Sequence, residues 1–335
     1  MSVLIIAEIG STHDGSFGIA RHSQRAAIEA GATAVKFQTH IPDAESTRSA
    51  PAPAFFSGEP RFEYFRRTGF SASQWASLAA ECRELGAEFI SSPFSEEAVD
   101  LLERTGIDRY KIPSGEVTNL PLIDAVARTS KPVLLSSGMT SWAEVDRAVN
   151  TVLAHHDRLV VMQCTSEYPC PYEQVGLNVM IEMRDRYNAP VGLSDHTLTP
   201  HAAVAAVTLG ASVIEKHFTL SKQLYGSDAK HSMEPHEFAA MCDGIRAAAI
   251  MRDVRVDKDA IDRFKDMRRV FQKSIVATVA IPRGTLITRE MLGIKKPGTG
   301  LSPDRLNDVV GRVAGVDLAE DTVISPEAVG LPSRT

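Results

Sequence analysis

Three short runs place ionisable side chains inside an otherwise apolar pattern: Lys36-Phe37-Gln38, Ser194-Asp195-His196 and Glu215-Lys216-His217. Strand alternation sorts them by face. Glu215 and His217 point one way and Lys216 the other. Ser194 and His196 point together, and Lys36 and Gln38 share a face opposite Phe37. Two histidines delivered from adjacent strand ends, with positions left open for water and substrate oxygens, suit a catalytic divalent metal. Asp195 is placed to orient a ligand histidine from behind. Taken singly, each histidine reads better as an isolated hydrogen-bonded residue; their equivalent placement at adjacent strand ends brings the metal reading level with that one.

Lys36 and Lys111 also stand near strand ends, among Ser114, Ser136, Ser137, Ser166 and Ser194. Lysine charge combined with hydroxyl and backbone donors is how a phosphate is held. Solvated strand-end lysines would give the same sequence. Glu8 and Glu116 are acid–base groups or salt-bridge partners of a mouth lysine, and spacing does not separate the two roles.

Eight apolar or β-branched runs position these residues: 3–10, 32–39, 87–94, 109–116, 132–139, 158–166, 190–197 and 211–219. Amphipathic stretches lie between them. Ile19 to Ala30 ends at Gly31, and Ser73 to Leu85 has Ser73 as its cap. Ser141 to Leu153 opens with Ser141 and Glu144 in capping-box spacing. Strand–helix alternation of this kind predicts an α/β chain with a (β/α)8 TIM barrel over residues 1–250. Polar residues gather at the C-terminal strand ends, where such barrels carry their sites. The stretch from Pro42 to Gly69, with Phe55, Phe56, Phe62, Tyr64 and Phe65, is long for a βα loop and reads as a lid or an oligomer contact. Residues 251–272 form a charge-dense linker. Residues 273–335, with Pro-Arg-Gly and Pro-Gly punctuation, form a small β-rich domain.

The composition is that of a globular chain: 335 residues, 44% hydrophobic, 23% charged. A net charge of −6 leaves no general basic surface for nucleic acid or anionic membrane. No apolar run reaches the ~20 residues of a membrane helix. Cys82, Cys164, Cys170 and Cys242 make no CxxC pair and read as free thiols of a cytoplasmic protein.

The motifs IIAEIGSTHDGS (5–16), VKFQTH (35–40), FISSPFS (89–95), YKIPSGE (110–116), LLSSGM (134–139), CTSEYPCP (164–171), GLSDHT (192–197) and EKHFT (215–219) together resemble the sialic acid (N-acetylneuraminate) synthase family. The tail IPRGTLIT to KKPGTG (281–300) is similar to that family's antifreeze-like SAF domain. The resemblance implies a transferase. It would condense phosphoenolpyruvate with an N-acetylated aldose such as N-acetylmannosamine, and with water, to give N-acetylneuraminate and phosphate. Legionaminic or pseudaminic acid synthesis is the same chemistry on another amino sugar; a non-enzymatic SAF-type binding protein is a further alternative. Carried over position by position, His196 and His217 become ligands of a divalent metal, Mn2+ first and Mg2+ or Co2+ as alternatives. Lys36, Lys111, Ser114, Ser136 and Ser194 become the phosphoenolpyruvate site, with Ser166 where the family often has Asn. Gln38, Tyr168, Glu215 and Asp228 become acceptor-sugar contacts, and Glu8 and Glu116 the acidic groups near the reacting atoms. The resemblance also implies a domain-swapped homodimer. In it, Lys296 stands where the family brings an Arg to the partner's sugar site, and Lys lacks the planar fork of Arg.

Overall fold

A computed structural model describes residues 3–51, 59–226 and 228–332. The chain divides into two compact units, Met1–Val254 and Arg255–Thr335. In the first, eight parallel strands close into a barrel in sequence order. They are β1 (Leu4–Gly10), β2 (Ala34–Thr39), β3 (Glu88–Pro93), β4 (Arg109–Ile112), β5 (Val133–Ser136), β6 (Leu159–Cys164), β7 (Val191–Asp195) and β8 (Val213–His217). The helices are α1 (Phe17–Glu29), α2 (Pro42–Glu45), α3 (Arg61–Thr68), α4 (Ala72–Glu84), α5 (Glu96–Thr105) and α6 (Leu120–Arg128). They continue with α7 (Trp142–Leu153), α8 (Leu177–Tyr187), α9 (His201–Thr208) and α10 (Pro235–Asp253).

Alternation splits each strand between two apolar layers. Side chains such as Phe37, Phe89, Tyr110, Ile112 and Leu135 pack outward under the helices. Ile6, Ala34, Ile90, Leu134, Met162 and Val213 form a separate buried cluster inside the barrel. This inner cluster is a plug, each fully buried aliphatic side chain contributing about 1.5–3 kcal/mol. Two residues further along the same strands the inward positions turn polar: Glu8, Lys36, Ser92, Ser136, Cys164 and Glu215, all buried. The polar layer therefore sits on the plug at the C-terminal mouth.

Local signals set the helix starts. Ser16 caps α1, its hydroxyl accepting from Ile19 N at 3.3 Å. Ser141 and Glu144 form the capping box of α7. The α4 cap is Ser71, not Ser73: Ser71 pairs reciprocally with Gln74, the residue three further on that a capping box requires. The long β2–α4 connection holds α2 and α3. Phe62 and Tyr64 of α3 are buried, while Phe55 and Phe56 lie outside the described residues.

In the second unit α11 (Lys265–Phe271) precedes a two-stranded antiparallel sheet of β9 (Ser274–Ala277) and β10 (Leu292–Lys295), followed by α12 (Leu306–Val309). Ile275, Ile281, Ile287, Leu292, Val309 and Ile324 are among its core residues.

Candidate functional site

Parallel register places the charged residues beside one another. Glu8 pairs across the sheet with Lys36 on one side and with His217 on the other, and Ser194 pairs with Glu215. Lys36 Nζ lies 2.8 Å from Glu8 Oε2 and 3.6 Å from Glu215 Oε1. Lys111, from the opposite wall, donates to the same Glu215 oxygen at 3.0 Å, and Lys36 also donates to Ser92 Oγ at 3.3 Å. The two lysines and two carboxylates carry no net charge between them. Burial alone would raise Glu215, but Lys111 and Lys36 outweigh it and hold the carboxyl at about 2. Glu8 moves the other way: burial pushes it up, Lys36 pulls against that, and the Glu215 charge adds to the rise. Two neighbouring carboxylates with divergent proton affinities are a basis for acid–base division of labour.

Gly10 lets Glu8, Gln38 and Asp228 approach one another. At φ +54°, a Cβ there would stand 3.0 Å from Asp228 Oδ2, and 3.3 Å from both Gln38 Nε2 and Glu8 Oε1. Gln38 Nε2 donates to Glu8 Oε1 at 2.8 Å. Gly138 does the same for the serines. Its N–H donates to Ser114 Oγ at 3.1 Å, and the place of its Cβ is taken by the hydroxyls of Ser114 and Ser166. Ser194 Oγ donates to Glu215 at 3.4 Å. Ser136 Oγ, also buried, has no hydrogen-bond partner among the described residues.

The rings of His196 and His217 lie 5.5 Å apart, centroid to centroid. Tyr168 stacks on His196 at 4.1 Å and meets His217 edge-on at 5.8 Å. His196 Nδ1–H donates to the Thr165 carbonyl at 2.7 Å, which fixes the tautomer and leaves Nε2 as a lone-pair donor. Burial pushes the His217 imidazole down to about 4, so it is neutral near pH 7. Its Nδ1 is buried without a hydrogen-bond partner among the described residues, and buried polar atoms without partners call for an explanation. Burial lowers the His196 imidazole, but Cys164 and the Thr165 carbonyl outweigh it and raise it. Deprotonated, His196 and His217 together fit a divalent cation whose remaining positions are water and substrate oxygen. Among the described residues, no group of three or more His, Cys, Asp or Glu is arranged to hold a metal.

Asp195 does not orient a histidine. Being one residue from His196, it faces the helices, where Lys216 Nζ reaches it at 2.7 Å with both side chains 1% exposed. Lys216 also donates to Thr199 O at 3.2 Å, tying down the loop after His196. Glu116 sits apart, half-buried in a short turn after β4, with Asn119 donating to it at 2.9 Å. Burial raises its carboxyl. Lys296 lies in the second unit, its Nζ 5.3 Å from the Phe271 ring centroid. Sequence reasoning passed over Cys164 and His40. Cys164 Sγ is 4.0 Å from His196 Nδ1. Burial would raise this thiol, but His196 and Lys111 outweigh it and bring it to about 7. Its inward place at the end of β6 was the available signal.

The NeuB family model matches residues 24–256, and the SAF domain model matches residues 272–329. The chain belongs to the NeuB family. This NeuB chain is 34% identical to the N,N'-diacetyllegionaminic acid synthase of Campylobacter jejuni, across 96% of this chain and 98% of that one. It is 33% identical to the N-acetylneuraminate-9-phosphate synthase of Homo sapiens, across 97% and 92%. A crystal structure of N-acetylneuraminic acid synthetase from Leptospira borgpetersenii, in complex with citrate, superposes with a TM-score of 0.71 at 26% identity, over 80% of this chain and 92% of that chain. These relatives of the NeuB chain are named for the synthesis of different nonulosonic acids, so family membership carries the reaction type further than the acceptor. No helix among its described residues is long and apolar enough to cross a membrane.

Proposed function

We propose that this NeuB-family chain condenses phosphoenolpyruvate with an open-chain N-acetylated aldose and water, releasing phosphate and a nonulosonic acid. N-acetylmannosamine, giving N-acetylneuraminate, is the first acceptor in this reading. The observation that carries it is the buried mouth where Lys36 and Lys111 face each other across Glu215, beside a neutral histidine with a nitrogen unpartnered among the described residues.

Lys36, Lys111, Ser114, Ser136, Ser166 and Ser194 hold the phosphate and carboxylate of phosphoenolpyruvate, the lysines exchanging Glu215 for the substrate. Gln38, Tyr168, Glu215 and Asp228 orient the acceptor. Carbon 3 of phosphoenolpyruvate then bonds to the aldehyde carbon, water adds to carbon 2, and the tetrahedral intermediate expels phosphate. His196 and His217 would hold a divalent cation, Mn2+ first, which when bound would supply Lewis-acid polarisation of the aldehyde. Glu8, raised by burial, is suited to move the proton of the incoming water. Glu116 is the alternative group for that proton. In a swapped homodimer Lys296 reaches the acceptor bound by the partner barrel.

The test is phosphate release from phosphoenolpyruvate with Mn2+ and a panel of N-acetylated hexoses. Release with N-acetylmannosamine is expected, and no release with any acceptor would overturn the reading. A second acceptor has its own support. The 34% identical Campylobacter jejuni relative is named for N,N'-diacetyllegionaminic acid, so a di-N-acetylated aldose belongs in the panel.

A further inference from the structure

His40 lies two residues beyond Gln38, at the rim of the mouth, and its ring is clamped. Phe65 stacks on it at 3.7 Å and 21°, Phe94 at 4.0 Å and 17°. Two rings that close and that parallel must lie on opposite faces. The clamped imidazole, with its side chain 5% exposed, keeps both nitrogens on fixed partners. Nδ1 is 2.8 Å from Glu45 Oε1, and Nε2 is 3.2 Å from Gln38 Oε1. The other Glu45 oxygen accepts from Ile41 N at 3.2 Å. Arg61 and Asp228 are the further charged groups whose fields reach the ring.

Glu8 dictates the direction of each bond. Its Oε2 faces the Lys36 ammonium at 2.8 Å, and a carboxylate in that setting only accepts. Gln38 must therefore turn its NH2 toward Glu8, as it does at 2.8 Å. That leaves the Gln38 carbonyl facing His40, and only an N–H can satisfy it. The proton between Nδ1 and Glu45 can sit on either partner without altering this.

We propose that His40 is a positioning residue whose Nε2–H locks the Gln38 amide in the orientation that donates to Glu8. Without that bond the amide is free to turn over, and its carbonyl would then face the Glu8 carboxylate and repel it. Only the kinetic consequence rests on the function proposed above. The hydrogen-bond directions rest on the geometry alone.

The test is His40→Phe, which keeps a ring between Phe65 and Phe94 and deletes both hydrogen bonds. With a working acceptor, kcat is expected to fall roughly tenfold, the effect of one lost buried hydrogen bond, with KM for phosphoenolpyruvate unchanged. Nitrogen-15 spectra of histidine-labelled wild-type protein are expected to show His40 Nε2 protonated at neutral pH. A bare Nε2 overturns the proposal whatever the activity, and so does wild-type kcat in His40→Phe. If His40→Phe does not fold, the wild-type spectrum decides. If no acceptor supports turnover in wild-type protein, the functional reading fails and the same spectrum still decides the role of His40.

Discussion

Lys111 Nζ and Glu215 Oε1 stand 3.0 Å apart across the barrel, with side chains only 3% and 6% exposed. The lysine expected to grip phosphate is thus already neutralised inside the protein, and Lys36 leans on the same oxygen. Under the proposed function, an anion bound here would exchange partners with Glu215 rather than fill a positive hole. Lys36→Met or Lys111→Met leaves Glu215 with one cation and the substrate with one grip. KM for phosphoenolpyruvate is expected to rise about 10- to 100-fold in each, the range for one charge-assisted hydrogen bond, with a smaller change in kcat. Steady-state kinetics in phosphoenolpyruvate check this, and an unchanged KM in both variants would sink it.

The proposed metal site can be read by a measurement besides turnover. His196→Ala and His217→Ala are each expected to abolish metal-stimulated phosphate release and to weaken Mn2+ binding measured by electron paramagnetic resonance, with the circular dichroism of the fold retained. Full turnover in chelator-stripped wild-type protein would refute the two-histidine site.

Gly138 is expected to tolerate no side chain, because the Ser114 and Ser166 hydroxyls occupy its Cβ position. Gly138→Ala should cost about 1–3 kcal/mol of stability, as overpacking does, and raise KM for phosphoenolpyruvate. Urea denaturation and kinetics read the two effects. Wild-type values for both would show that the serines move aside freely.

His13, in the loop after β1, gives a pH signature of its own. Burial pushes its imidazole down to about 4, and its Nδ1 accepts from Gly15 N at 3.1 Å. The unfolded chain takes up this proton near pH 6.5 and the folded chain only near pH 4. Stability therefore falls as pH drops through that window and is unaffected by this group above it. The added slope reaches about 1.4 kcal/mol per pH unit. Urea titrations of His13→Asn should show a flatter profile between those limits; an identical profile would remove His13 as the cause.

The second unit makes its own prediction. In a swapped dimer, mixing Lys296→Ala chains with His217→Ala chains should restore about a quarter of wild-type activity, since hybrids form half of the dimers and carry one complete site each. No recovery despite proven subunit exchange would mean that each tail serves its own barrel or none.

Much of this architecture was readable from residue order, because period-two alternation and capping chemistry act over a few residues. The eight strands and the opposite facing of Lys216 and Glu215 follow from that alone. What alternation cannot report is which partner a side chain meets across a closed barrel. The Lys111–Glu215 contact joins residues 104 apart in sequence. Asp195 was read as a support for His196 because they are neighbours in sequence, and neighbours on a strand face opposite ways. The role of His40 was hidden for a related reason: its two stacking partners come from α3 and from the end of β3. The Ser71 cap, by contrast, was within local reach, since Gln74 stands three residues on.

The inner cluster of Ile6, Ala34, Ile90, Leu134, Met162 and Val213 makes the barrel a blind well rather than a tube. With the floor plugged, the mouth is the route to the polar layer that the described residues leave in view. If water is a reactant here, no back door supplies it once the acceptor covers the mouth. The hydrolytic water must then be seated on the buried polar floor before the sugar arrives, which ties the order of loading to the outcome of the chemistry.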